Sequence, residues 1–310
     1  MTRRLGILGL SLLVASALVF VFLRVLPGDP AEVILGTRAT PVAVAQLRHT
    51  LGLDAPLWLQ YLRWAGGAVH GDFGVSYVSS ASVGQQIAQR LQVSAPLAVM
   101  GMVLSLLIAL PLGITAATHH RRAADVIVSA FSQVGIAVPA FWAGFLLITL
   151  LAVKLGWFPA GGFGDWSDPV GALRSLLLPA ISLALVQGAI LARYVRSAVL
   201  EVMREDFIRT ARAKGMTRGQ ALWRHGLRNA AVPLVTVLGL QWSYLLVGAI
   251  VVENVFYLPG LGRLLLQALG NRDLLVVQGI VTVLTAAVLL VNFATDISYR
   301  ALDPRLQAAS

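Results

Sequence analysis

The chain has 310 residues, of which 57% are hydrophobic and only 12% charged, and it contains no cysteine. A soluble domain carries roughly a quarter charged residues, so this composition excludes an ordinary soluble globule and points to a polytopic membrane protein. Without cysteine there is no disulfide framework, thiolate metal site or thiol nucleophile. The net charge of +10 is first a question of where the bases lie.

Six apolar runs are long enough to cross a hydrocarbon core about 30 Å thick at about 1.5 Å per residue. They are Leu5–Leu26, Val93–Ala117, Gln133–Val153, Leu176–Tyr194, Pro233–Val252 and Leu274–Phe293. Arg3 and Arg4 precede the first run, and Ala15-Ser16-Ala17 resembles a signal-peptide cleavage site. Because the apolar stretch continues through Leu26, an uncleaved anchor is expected.

Residues 27–92 are far longer than an ordinary interhelical connection. Helical patches at Pro41–Leu51 and Pro56–Trp64 alternate with turn chemistry at Pro27-Gly28-Asp29-Pro30 and Gly71-Asp72-Phe73-Gly74. This predicts a small ordered cap, serving either as a spacer or as a docking surface. Further on, His119-His120 beside Arg121-Arg122 reads as a basic cluster at the membrane edge, not a metal site. In the third run, Pro139 is predicted to kink the helix.

Between the fourth and fifth runs the chain reads DFIRTARAKGMTRGQALWRHGLRNAAVP, Asp206 to Pro233. The stretch from Glu205 to Lys214 is rich in helix formers, and Arg212 and Lys214 suit a helix C-terminus. Gly215 is a natural left-handed stop. Thr217-Arg218-Gly219-Gln220 has capping-box spacing and starts a second helix, whose Leu222, Trp223 and Leu227 fall near one face. Pro233 suits the first turn of the next membrane helix. A plain linker needs neither break nor cap; the pair rests on anionic headgroups or docks a cytoplasmic partner.

Placing the N-terminus inside puts fifteen of the 24 Lys and Arg residues, but only six of the 14 acids, on the cytoplasmic side. Most of the excess charge is therefore the positive-inside bias, and a nucleic-acid partner is not needed. No phosphate-cradling G-x-x-x-x-G-K-[ST], H-E-x-x-H or G-x-S-x-G motif is present, so the chain is expected to be non-catalytic and to bind no cofactor.

Ionisable residues are scarce inside the runs, which argues against a secondary transporter acting alone. The interior polar residues are neutral: Gln133, Gln187, Gln241, Gln278 and Asn292. They serve either interhelical hydrogen bonding or a transport path. A path without an ion relay needs energy from elsewhere.

The central stretch resembles the cytoplasmic loop of ABC importer permeases. The general pattern, E-A-A through G to I-x-L-P, agrees only at Ala211, Gly215 and Leu227. The version typical of the dipeptide and oligopeptide branch, R-T-A-R-A-K-G followed by H-x-L-R-N-A, is matched by Arg209–Gly215 and His225–Ala230. Leu26-Pro27-Gly28-Asp29-Pro30, Leu51-Gly52-Leu53-Asp54, Gly71–Ser76 and Glu253–Gly262 are similar to other segments of that branch's first permease subunit.

The resemblance implies an all-α type I permease with six transmembrane helices. Its divisions would be an N-terminal helix (1–26), an extracytoplasmic domain (27–92), a five-helix core (93–300) holding a cytoplasmic loop at 195–232, and a tail (301–310). It implies a bacterial inner-membrane location with both termini cytoplasmic. The implied partners are a second homologous permease, two cytoplasmic ATPases that use ATP and Mg, and an extracytoplasmic peptide-binding protein. Asp206, Arg209, Thr210, Ala211, Arg212, Lys214 and Gly215 would form the coupling helix. Gln133, Gln187, Gln241 and Asn292 would be path candidates, and Glu253, Phe256, Pro259 and Gly260 an external gate or loop. The implied substrate is a dipeptide or oligopeptide, with nickel or another small solute as the alternative in the same branch.

Overall fold

The computed structural model describes residues 2–25 and 30–302 and is helical almost throughout. The Pro27-Gly28-Asp29 turn, and Asp303 and Arg305 of the tail, lie outside the described residues. The helices are α1 (Thr2–Val25), α2 (Pro30–Leu35), α3 (Pro41–Thr50), α4 (Leu57–Val69), α5 (Val83–Thr118), α6 (Ala123–Ala137), α7 (Ala140–Leu147), α8 (Pro169–Val202), α9 (Asp206–Ala213), α10 (Arg218–Ala221), α11 (Leu227–Val255), α12 (Leu261–Gly270) and α13 (Leu274–Leu302). Among the described residues five helices are long and apolar enough to cross a membrane, or six with the bent pair α6–α7 counted as one span.

Packing divides the chain into two compact units, one of Met1–Val93 with Pro259–Leu290 and one of Ser94–Leu258 with Val291–Ser310. In the first unit α4 lies against α1. Phe20 meets the Tyr61 ring edge-on at 5.5 Å, and the Tyr61 hydroxyl lies 3.2 Å from the Leu13 carbonyl and 2.9 Å from Ser16 Oγ. Aromatic rings bury large area and their hydroxyls need partners, so this contact fixes α4 on the apolar anchor. The Ser76 hydroxyl donates to the buried Asp273 carboxylate and so ties the turn before α5 to the start of α13.

In the second unit α8 is the central post. Leu176, Leu178, Leu183, Leu191 and Val199 are all essentially buried. Its neighbours approach through small residues: a Cβ at Gly135 would lie 2.3 Å from Ala189 Cβ, and one at Gly188 would lie 3.1 Å from Ile108. Helices in lipid gain little from apolar burial alone, so close van der Waals contact through such positions holds them together.

Two expectations are corrected. The third span is not one kinked helix: α6 and α7, the latter prolonged by a π-helical stretch over Ile148–Lys154, meet at 101°. Pro139 has no N–H to give and forces Val138 into extended backbone, so the helix stops instead of bending. Nor does Pro233 open a helix. It sits inside a continuous helical run, Arg218–Val255, that enters the fifth span through a π-helical turn at Leu222–Gly226. One missing backbone hydrogen bond is tolerated there because tertiary packing, not propensity, carries most helix stability.

Candidate functional site

The loop between the fourth and fifth spans folds as its sequence reads. α9 begins after Glu205, in extended backbone, and ends at Lys214. Gly215 then takes φ +91°, a left-handed conformation that only glycine adopts at little cost, and its N–H donates to the Arg212 carbonyl at 3.0 Å. The Met216 N–H reaches back to the Ala211 carbonyl at 3.3 Å and completes the stop. The Thr217 side chain accepts from the Gln220 N–H at 3.3 Å while the Gln220 side chain accepts from the Thr217 N–H at 2.9 Å, closing the capping box.

These two pieces are clamped to each other and to the body of the second unit. Ile208 and Ala211 turn inward from α9, and Ala221 and Leu222 turn inward from the next helix. A Cβ on Gly226 would lie 2.8 Å from Leu222 Cδ1 and 3.3 Å from Val202 Cγ1, so the chain crosses here because this residue has no side chain. Trp223 departs from the expected apolar face. It is 69% exposed while Leu222 is fully buried, because the π turn rotates successive side chains differently from an α-helix.

The remaining members of the set point outward. Arg209 pairs with Asp206 at 3.2 Å on the exposed surface, the Thr210 hydroxyl donates to the Asp206 carbonyl, and Arg212 and Lys214 are exposed. The result is a short rigid helix, anchored by apolar residues on one side and presenting cations on the other.

At the other end of the fifth span, Glu253 is 1% exposed and accepts a 2.5 Å hydrogen bond from Ser94 of α5. Phe256 is buried, and its carbonyl accepts from the Gly162 N–H at 2.8 Å. A Cβ on Gly144 would press the Phe256 ring at 2.9 Å, and one on Gly161 would meet the Phe256 carbonyl at 2.7 Å. Glu253 and Phe256 thus join α5, α7, the loop before α8, and α11 within the second unit. Pro259 and Gly260 fall in the first unit, where the Gly260 carbonyl accepts from Leu264 as α12 begins.

Of the path candidates, Gln187 and Gln241 are buried at 6% and 4% exposure, whereas Gln133 and Asn292 are exposed on the chain. Gln187 Oε1 has no hydrogen-bond partner among the described residues.

A further polar centre had no sequence signal. Arg196 of α8 forks onto Asp125 of α6, with Nε 2.6 Å from Oδ1 and a terminal nitrogen 3.0 Å from Oδ2. The Arg121 N–H donates to the same carboxylate at 2.9 Å, and His120 Nδ1 lies 2.9 Å from it. The residues read as a loose basic cluster are therefore partly organised around one buried acid. Among the described residues no group of histidines and carboxylates could hold a metal ion.

A bundle of apolar helices of membrane-spanning length carrying one short, apolar-anchored basic helix fits a transport permease. The chain belongs to the family of binding-protein-dependent transport system inner membrane components, whose model matches residues 109–308, with the companion N-terminal model matching residues 1–98. It is a permease subunit of an ABC importer and a multi-pass inner-membrane protein. Over 297 residues it is 42% identical to the "Putative peptide transport system permease protein" of Brucella abortus (strain 2308), covering 96% of this chain and 95% of that one. It is 39% identical over 305 residues to the glutathione transport system permease protein GsiC of Escherichia coli (strain K12), covering 98% and 97%. The fold matches a solved chain of the MetNI methionine ABC transporter in an inward-facing conformation, with a TM-score of 0.60 at 20% identity, over 71% of this chain and 97% of that one.

Proposed function

We propose that this permease forms half of the translocation path of an importer for dipeptides or oligopeptides and that α9 with Gly215 is its coupling element. The observation that carries the coupling role is the left-handed glycine stop between a capped helix and an apolar anchor, which makes residues 206–226 a preformed rigid body. The substrate class is supported by relatives named for peptide and glutathione transport, glutathione being itself a tripeptide.

In this reading both termini and the coupling loop face the cytoplasm, and residues 27–92 form an extracytoplasmic domain. A second homologous permease completes the path. Two ATPases hold ATP and Mg, this chain holding neither, and an extracytoplasmic binding protein delivers the peptide. Closure of the ATPases moves the coupling helices together and reorients the path. Glu253 and Phe256 act at its outer end, with Pro259 and Gly260 in the adjoining loop. A path shared by two subunits needs side chains exposed on each alone, which favours Gln133 and Asn292; Gln187 and Gln241 act only if the helices part beside them.

The test is uptake of a labelled short peptide in source cells lacking this gene and then restored, with labelled nickel in parallel. Peptide uptake lost and recovered supports the proposal. Nickel uptake lost with peptide uptake intact moves the substrate to the alternative in the same branch.

A further inference from the structure

Between α9 and the π turn lies a pocket of about 490 Å³. Phe207 and Met216 supply apolar wall, and Lys214, Arg224 and His225 supply nitrogen donors, while no carboxylate of the described residues lines it. The nearest acid on α9, Asp206, is outside the lining and is engaged with Arg209 at 3.2 Å. Ile208 of α9 and Leu222 of the π turn are 1% and 0% exposed, so the backbone that carries the lining is anchored. Arg224 and His225 lie in the π turn, and such turns recur at functional positions.

We infer that this pocket receives an Asp or Glu side chain projecting from the ATPase partner. The acid's methylene stem covers Phe207 and Met216, and its carboxylate takes charge-assisted hydrogen bonds from Lys214 and Arg224. The inference rests on the coupling reading above and adds to it a contact in the reverse direction, with the ATPase entering this chain. A lipid phosphate at the pocket mouth would satisfy the cations but leave the apolar wall uncovered, so the acidic side chain fits the lining better. Burial of a charge against two cations makes the contact selective for sign, because a basic residue in the same place is repelled.

The experiment uses the whole transporter, purified through a tag on this chain. It compares Arg224→Glu, Lys214→Glu and Arg224→Met with the control Arg122→Glu, an exposed base outside both the pocket and residues 206–226. The expected result is a loss of retained ATPase of about tenfold or more for the two reversals and less for Arg224→Met. The control stays near wild type, and a lysine at one surface acid of the ATPase restores Arg224→Glu. Should Arg224→Glu fail to accumulate in the membrane, Arg224→Met keeps the stem and tests the same contact in its place. Unchanged retention, equal loss in the control, or no restoring lysine overturns the inference. So does a loss that appears in phosphatidylglycerol vesicles and vanishes in phosphatidylcholine, which marks a headgroup site. If Gly215→Pro uncouples transport while the pocket variants behave normally, only the pocket falls; if Gly215→Pro transports normally, the coupling reading itself falls.

Discussion

Removing the carboxylate of Asp125 is expected to be among the most damaging single changes outside residues 206–226. The side chain is 7% exposed and Arg196 is 24% exposed, and the two are joined by a two-pronged contact at 2.6 and 3.0 Å. Deleting one partner of such a pair leaves the other charge buried and uncompensated, at a cost of about 3–5 kcal/mol. The Arg121 N–H also loses its acceptor, and Arg121 holds φ +65°, a conformation this bond helps to keep. Asp125→Ala should therefore lower the melting temperature of the purified transporter by on the order of 10 °C. Removing both charges, as Asp125→Leu with Arg196→Leu, should recover most of that loss, because the penalty lies in the orphaned charge and not in the absent bridge. The assay is thermal melting of the purified transporter in detergent, followed by loss of monodisperse protein. Wild-type melting of Asp125→Ala, or a double variant that melts lower than Asp125→Ala, would refute the orphaned-charge reasoning.

Three further outcomes are expected. Gly215→Ala meets no atom within 4 Å and pays only for the left-handed backbone, about 1–2 kcal/mol, so it should insert and retain partial transport. Gly113→Val should drive α5 from α8, since even a Cβ there would sit 2.6 Å from Val195 Cβ; the check is a sharp fall in folded yield. Ser94→Ala leaves Glu253 short of a 2.5 Å donor at 1% exposure and should cost about 1–3 kcal/mol, read as a lower melting temperature with residues 206–226 intact by limited proteolysis.

The features legible in the sequence are local ones. The capping box at Thr217–Gln220 and the stop at Gly215 depend on residues three or four apart, and both formed as the spacing required. The long spans declared themselves through sustained apolar runs. The Asp125–Arg196 pair joins residues 71 apart and Ser94–Glu253 joins residues 159 apart, so no window of sequence could have shown either. Pro233 and Trp223 misled for one common reason. A π turn at Leu222–Gly226 has no propensity signature, yet it sets both the phase of the side chains and the continuity of the helix. Pro139 was a fair signal of disruption, but neither the proline nor its neighbours encode the 101° angle, which the packing of α6 and α7 on α8 decides.

The proposed coupling role has residues 206–215 carry the drive from ATP hydrolysis into the membrane part. Its most direct test is a reconstituted complex in vesicles, with peptide accumulation and ATP hydrolysis measured together for wild type and Gly215→Pro. Proline fixes φ near −65° where +91° is needed, and it removes the N–H that bonds Arg212, so the stop cannot form. The expected result is a complex that still assembles and hydrolyses ATP but accumulates little peptide per ATP. An unchanged ratio of peptide to ATP would contradict the claim.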